Sequence, residues 1–218
     1  MGIKEVRDFL NTKRRDFSNK PLDDKSVKEN PFEQYAVWFK EAMEANVPDP
    51  YAACLSTVNG QNEPSSRMIY IRDILENGFV FYTNYESNKA KDLDQNSAAA
   101  LNIYWIDLER QIRIKGDICK VEAELSDSYF KNRPRKSQIG AWASAQSNKI
   151  ESREVLARKI KEIEAEFNGK EVTRPPFWGG YQLIAEKIEF WQGRPSRLHD
   201  RILYTKENNS WRKNRLSP

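Results

Sequence analysis

Residues 51–84 read YAACLSTVNGQNEPSSRMIYIRDILENGFVFYTN, and this stretch decides the fold class. Three of its segments, YAACLSTV (51–58), SRMIYIR (66–72) and GFVFYTN (78–84), are rich in β-branched and aromatic residues, with Asn59-Gly60 and Asn77-Gly78 between them. Asn-Gly between strand-like runs signals a hairpin, because both residues tolerate the positive φ that tight turns require. The expectation is an antiparallel meander.

Further strands follow in both directions from that core. Ser87 can cap a short helix carrying Lys89, Ala90 and Leu93, after which SAAALNIYW (97–105) and RQIRIKGDICKVEA (110–123) read as strands. Gln111, Arg113 and Lys115 alternate with Ile112 and Ile114, so one face is polar and the other apolar, and Gln111 faces either solvent or a cleft. FWGGYQLIAEKIEFWQ (177–192) and short stretches around 202–205 and Trp211 complete the strands. Upstream, Pro31 opens a helix whose Phe32, Tyr35, Phe39 and Met43 are spaced for one core-facing stripe. A helical stretch covers 127–143, and another, SREVLARKIKEIEAEFNG (152–169), places Leu156, Ile160, Ile163 and Phe167 on one face, with Gly169 as its stop. Short strands with helices outside them imply an α+β protein built on an antiparallel barrel. Residues 1–30, charged and poor in large apolar side chains, read as a mobile or partly helical arm, either a tail or a flap; residues 31–218 read as one domain.

Lys and Arg total 36 against 32 for Asp and Glu, a net charge of +4, which is too weak and too interspersed for a dedicated nucleic-acid binder. Local basic clusters suit small phosphorylated ligands instead. Cys54 and Cys119 lack metal-site spacing and read as buried reduced thiols, with no metal site expected. The start MGIKEVRDF has no apolar signal core, and no apolar run approaches the roughly 20 residues of a membrane span, so the chain reads as a soluble cytoplasmic protein without a membrane partner. GxGxxG, P-loop, HExxH and GxSxG motifs are absent from the sequence.

Chemistry concentrates in FWQGRPSRLHDR (190–201), which holds the chain's one histidine, His199, with Arg194, Arg197, Arg201 and Trp191. Three arginines cannot be buried there without partners, so the loop is solvated or faces an anion. Other phosphate-binding chemistry lies at Arg67 and Arg72, at Lys89 in a first helical turn, and in RPRKSQIGAW (133–142) with Arg133, Arg135 and Ser137. Arg67 and Arg72 are five apart, so they serve one site only if the strand bulges or ends between them. On the residues alone, Tyr129 also reads as an ordinary helix-face aromatic, and Gln146-Ser147 as a polar loop.

RQIRIKG (110–116), YFKNRPRKSQIGAWAS (129–144), Gln146-Ser147, PPFWGGYQL (175–183), IEFWQG (188–193) and RLHDR (197–201), in this order, closely resemble the pyridoxamine 5'-phosphate oxidase family. The resemblance runs from about Arg14 to the terminal RLSP. It implies an FMN-binding split β-barrel, a homodimer with FMN at the subunit interface, and oxidation of pyridoxamine or pyridoxine 5'-phosphate to pyridoxal 5'-phosphate with oxygen reduced to hydrogen peroxide. FMN would be held by the stretch Arg67, Met68, Ile69, Tyr70, Ile71 and Arg72, by Tyr82 and Thr83, Asn88 and Lys89, Gln111, Gln146 and Ser147, and by Trp191 and Arg201. The substrate phosphate would meet Arg72, Tyr129, Arg133 and Ser137. Arg197, Leu198 and His199 would lie against the substrate ring, Arg197 and His199 as the catalytic pair, and Arg14 with Phe17 would match the family's amino-terminal flap.

Three positions depart from the family's pattern. Arg72 stands where Lys is usual, Asn88 replaces a basic residue, and Phe17 takes the place of a Tyr. These changes bear on affinity more than on reaction type, because the difficult chemistry belongs to the flavin. The resemblance leaves two rivals: a split-barrel flavin oxidoreductase with another substrate, and a non-enzymatic carrier of FMN or pyridoxal phosphate.

Overall fold

Alternation in AACLSTV becomes β1 (Ala52–Val58), whose Ala53, Leu55 and Thr57 are fully buried. β2 (Pro64–Tyr70) pairs with it antiparallel, Ala52 opposite Tyr70 and Leu55 opposite Arg67. The link is a five-residue loop, not a two-residue turn: Asn59 Oδ1 accepts from the amides of Gln61 and Glu63, and the positive φ falls on Asn62 at 64°. A computed structural model of the chain describes residues 2–12, 15–17 and 20–218, which divide into two compact units. One comprises Met1–Pro48, Tyr104–Ile112 and Glu189–Pro218; the other comprises Asp49–Ile103 and Arg113–Ile188.

The larger unit contains β3 (Asp73–Leu75) and β4 (Gly78–Asn84), with residues from β5 (Ala98–Trp105), β6 (Arg110–Lys120) and β7 (Trp178–Gln192). Strand order is β2-β1-β5-β6-β7-β4-β3, so the expected meander is corrected: β4 lies beside β7, not beside β2. The reason is a break at Ile71 and Arg72. The Ile71 amide still bonds the Tyr51 carbonyl at 2.9 Å, but the Arg72 amide turns to the Val80 carbonyl at 2.8 Å, and β3 continues along β4. Along β6, Ile112 and Ile114 are fully buried while Arg113 and Lys115 are exposed, the alternation expected of that strand.

Backbones approach so closely here that two strand positions require glycine. A Cβ on Gly116 would sit 1.8 Å from the Ile184 carbonyl oxygen, and one on Gly78 would sit 2.1 Å from that of Leu183. Gly116→Ala is expected to lower stability by about 3 kcal/mol, because the obstacle is backbone and cannot swing away. Gly140→Ala, where nothing lies within 4 Å, is the control and should be neutral or stabilising. Urea unfolding midpoints of the two variants check this.

Helices α3 (Asn88–Gln95), α4 (Ala123–Lys131), α5 (Arg135–Ala143) and α6 (Arg153–Glu166) belong to the same unit. The helix expected over 127–143 is two, because Pro134 has no amide to donate and biases Arg133 away from helical backbone. Ile160, Ile163 and Phe167 pack on Phe130, Ile139, Val172 and Trp178 as the α6 periodicity requires. Ser87 precedes α3 but does not cap it through its side chain; its hydroxyl donates instead to the Asn84 carbonyl at 2.8 Å.

In the smaller unit, α1 (Ile3–Thr12) is exposed along its whole length, and α2 (Pro31–Glu44) is capped by Asn30, whose side chain accepts from the Phe32 amide at 2.8 Å. The α2 stripe is corrected: Gln34, Tyr35, Trp38 and Ala42 are buried, whereas Met43 is 54% exposed. Trp38 decides the orientation. Its ring meets Phe190 edge-on at 5.1 Å and carries the Arg110 guanidinium 4.4 Å above it, so the buried face centres on Trp38. β8 (Asp200–Glu207) pairs with β9 (Ser210–Arg215), and Tyr204 donates to the Lys28 carbonyl at 2.7 Å. The cysteines are free, but neither is buried: Cys54 is half-buried and Cys119 exposed. Among the described residues no helix is long and apolar enough to cross a membrane.

Candidate active site

The strand ends between Arg67 and Arg72, which resolves their five-residue spacing. Arg67 remains in the β1–β2 ladder; its Nη1 donates to Thr57 Oγ1 at 2.6 Å, and its Nη2 lies 3.6 Å from Asp92 Oδ2. Arg72 instead lines a cavity of about 250 Å³ together with Met68, Ile69, Tyr70, Tyr82, Thr83, Lys89, Tyr129, Arg133, Gln146 and Trp178. All but Trp178 were expected ligand contacts.

At one side of this cavity, Lys89 Nζ donates to Gln146 Oε1 at 2.7 Å and to the hydroxyls of Thr83 and Ser87 at 3.1 Å. Thr83 also donates to Gln146 at 3.0 Å, and the Asn88 amide reaches Ser147 Oγ at 3.3 Å. Ser147 holds a left-handed φ of 72°. Lys89 is thus a buried cation whose three partners are neutral oxygens. Burial, followed by the charge of Arg67, pushes its ammonium down to about 8. Among the described residues, no anion pairs with it to compensate its desolvation.

The opposite wall is aromatic. Tyr82 and Tyr129 stack at 3.8 Å with planes 1° apart, and Trp178 lies nearly parallel 5.6 Å from Tyr82. The Arg133 guanidinium sits 4.5 Å over Trp178, with a buried Nη1 that finds no hydrogen-bond partner among the described residues. Burial lowers its pKa, and Arg72 adds repulsion. A second cavity of about 290 Å³ places Ser137 beside Arg133 and Gln146.

Of the remaining expected residues, Ile71 is buried in the larger unit, and the other described ones lie in the smaller unit. Trp191 and His199 have ring centroids 4.6 Å apart, and Phe17 meets both edge-on at 5.7 and 5.2 Å. The Arg194 amide donates to His199 Nδ1 at 3.1 Å, so the neutral imidazole carries its proton on Nε2. Burial, then Arg197, lowers the His199 pKa while Asp16 opposes them. Asp16 also accepts from the Ser196 amide at 3.2 Å, beside two successive left-handed residues, Ser196 at φ 56° and Arg197 at φ 62°. Leu198 is 69% exposed, and Gln111 is half-buried on β6. Arg201, expected at the flavin, directs its fork to Glu189 at 2.8 and 3.3 Å and to the Ser217 carbonyl at 2.8 Å. Arg14 lies outside the described residues.

Comparisons with known proteins show the family to which the chain belongs. Residues 39–167 match the family model described as pyridoxamine 5'-phosphate oxidase, and residues 178–218 match the pyridoxine 5'-phosphate oxidase C-terminal dimerisation region. The chain belongs to the pyridoxamine 5'-phosphate oxidase family. Within that family it is 50% identical over 207 residues to the pyridoxine/pyridoxamine 5'-phosphate oxidase of Paraburkholderia phytofirmans, covering 94% of this chain and 97% of the relative. The corresponding protein of Burkholderia thailandensis is 53% identical over 208 residues, with the same coverage. Among solved structures, PhzG from Burkholderia lata, in complex with tetrahydrophenazine-1-carboxylic acid, superposes with a TM-score of 0.86 at 30% identity, over 92% of this chain and all of that one. An FMN-binding, pyridoxamine 5'-phosphate oxidase-related protein from Nostoc punctiforme shares the fold with a TM-score of 0.70 at 16% identity, over 88% of this chain and 100% of that one.

The protein is therefore an FMN-dependent oxidoreductase of the split-barrel fold. Its own residues would fit the cofactor: buried Lys89 and nearby Arg67 would offer positive charge to the flavin phosphate, with hydroxyl and amide donors around them. Because Lys89 titrates near 8 and the flavin phosphate is already fully ionised there, FMN affinity is expected to fall as pH rises through that value. Flavin fluorescence titrations between about pH 7 and about pH 9.5 should show this slope, and Lys89→Met should bind weakly at every pH without it. Sequence reasoning assigned no role to Thr57, Asp92 or Glu189, which anchor Arg67 and Arg201, because long-range partners leave no local signal. Trp178 lay inside a recognised motif, PPFWGGYQL, yet was given no task.

Proposed function

We propose that the protein oxidises pyridoxamine and pyridoxine 5'-phosphate to pyridoxal 5'-phosphate, as a cytoplasmic homodimer with FMN at the subunit interface. One observation carries this reading: Arg72 and Arg133 line one cavity whose wall is the Tyr82–Tyr129–Trp178 stack. Two guanidiniums suit a dianionic phosphate, and flat rings suit the pyridine that bears it. Bound FMN would supply the redox chemistry, a two-electron oxidation at the substrate's exocyclic carbon with oxygen as final acceptor and hydrogen peroxide as product.

The chain's contribution is positioning. Arg133, Arg72, Tyr129 and Ser137 hold the phosphate; Met68 to Ile71, Thr83, Asn88, Lys89, Gln111, Gln146, Ser147 and Trp191 hold the flavin. Arg197 faces the substrate ring, and neutral His199 offers its Nε2 proton as a donor, which suits it to orienting the substrate rather than abstracting a proton. Arg201, paired with Glu189, is assigned to the flavin as well.

The likeness to PhzG favours a second reading, a tricyclic carboxylate as substrate. A carboxylate needs fewer cations than the cavity provides, so the phosphate reading is preferred. Oxygen uptake with pyridoxamine phosphate, pyridoxine phosphate and a reduced phenazine carboxylate decides between them. The expected result is turnover of the two phosphorylated substrates; uptake with the phenazine alone would reverse the choice.

A further inference from the structure

We infer that Tyr51, Tyr70 and Asp49 form a clamp that positions the guanidinium of Arg72 for a phosphate, so that this chain's phosphate recognition is built for arginine at position 72. The inference rests on the phosphorylated-substrate reading above and adds Tyr51 and Asp49, which that reading leaves without a task.

The Arg72 Cζ lies 4.8 Å from the centroid of the Tyr70 ring and 4.9 Å from that of Tyr51. The two rings meet edge-to-face at 5.0 Å and 82°. Both hydroxyls donate to one carboxylate, Tyr51 to Asp49 Oδ1 at 2.7 Å and Tyr70 to Oδ2 at 3.3 Å. Asp49 holds a left-handed φ of 43°, a conformation unfavourable for a residue with a side chain and kept only where the surroundings fix it. Its carbonyl accepts from the Ala52 amide at 2.8 Å, while the Tyr51 carbonyl accepts from the Ile71 amide at 2.9 Å. The backbone segment bearing Tyr51 is thereby tied to the one bearing Tyr70 and Arg72.

A guanidinium is flat and weakly hydrated, so it can lie in the corner of two aromatic rings, flat against one of them, while in-plane N–H groups stay available for two phosphate oxygens. A lysine ammonium in the same place is a compact point charge and offers no such fork. The clamp also answers a local problem. Arg72 shares its cavity with Arg133, and the two cations repel, so a flexible Arg72 would swing away from the phosphate position. Ring faces backed by the Asp49 carboxylate oppose that movement, and the ordering of a long side chain is completed before the ligand arrives.

The test uses the FMN-loaded protein with Tyr51→Leu, Tyr51→Phe, Arg72→Lys and the Tyr51→Leu/Arg72→Lys double variant. Calorimetric titration with pyridoxal 5'-phosphate and with pyridoxal separates phosphate contacts from ring contacts, and steady-state kinetics with pyridoxamine phosphate separates KM from kcat. Tyr51→Leu is expected to weaken pyridoxal phosphate about fivefold, leave pyridoxal unchanged, and raise KM rather than lower kcat. Tyr51→Phe, which keeps the ring, should retain most of the affinity. In the double variant the losses should not multiply, because the ring acts only through the arginine. Equal weakening of both ligands, multiplying losses, an unaffected Tyr51→Leu, or a wild type that binds no pyridoxal phosphate would each overturn the clamp. A wild type that binds the phosphate with the expected coupling but turns over no pyridoxamine phosphate would instead overturn the proposed substrate and leave the clamp standing.

Discussion

Arg197→Ala is expected to lower kcat/KM for pyridoxamine 5'-phosphate by about a hundredfold to a thousandfold, the range found when a donor aimed at transition-state charge is removed. The backbone at this residue supports a functional assignment. Ser196 and Arg197 both occupy the left-handed region, at φ 56° and 62°, in a loop that follows the last residues of β7. Neither is glycine, so the conformation is held at an energetic cost, and Asp16 holds it by accepting the Ser196 amide. Burial, then Arg197, lowers the pKa of His199, whose Nδ1 accepts from the Arg194 amide. Flavin content of Arg197→Ala should match wild type, and Arg197→Lys should recover only part of the rate, because a point charge replaces a planar fork. Single-turnover flavin reduction is the measurement; an Arg197→Ala protein reduced at the wild-type rate would refute this role.

Arg133→Met should weaken the phosphorylated substrate by about a hundredfold while leaving the ligand-free protein as stable as wild type or more so. The two halves of this expectation share one cause. Arg133 is held over Trp178 with a buried Nη1 unpartnered among the described residues, and burial lowers its pKa. A desolvated cation without a carboxylate is unfavourable until an anion arrives, so methionine should fit the same space without that cost. Added phosphate should raise the melting temperature of the wild type and leave that of Arg133→Met unmoved. If the variant melted lower and still bound substrate tightly, Arg133 would be a packing residue.

Local periodicity made much of the fold legible. The alternation from Gln111 to Lys115 appears where the spacing places it, and of the α6 stripe Ile160, Ile163 and Phe167 pack, partly buried, on an apolar cluster. Periodicity misled at α2, where Met43 fits the stripe but Trp38, omitted from it, sets the buried face. It gave a bulge or strand end between Arg67 and Arg72 only as a condition, because the change of ladder at Arg72 depends on the Val80 carbonyl. The phosphate-binding cations of the candidate site were legible in the residues themselves, but their grouping into one site was legible only through resemblance. Lys89 and Gln146 stand 57 residues apart and Thr57 and Asp92 stand 35 apart, so nothing in either neighbourhood announces the other. Asp49 and Tyr51 escaped even the resemblance, since no motif used to identify the family includes them.

The central claim is that this flavoprotein oxidises a phosphorylated pyridoxine or pyridoxamine, and anaerobic mixing with pyridoxamine 5'-phosphate tests it most directly. The FMN-loaded protein should lose its visible absorbance in a single turnover, yielding one pyridoxal 5'-phosphate per flavin, and unphosphorylated pyridoxamine should bleach it far more slowly. A flavin that stays oxidised with pyridoxamine and pyridoxine 5'-phosphate alike would contradict the account.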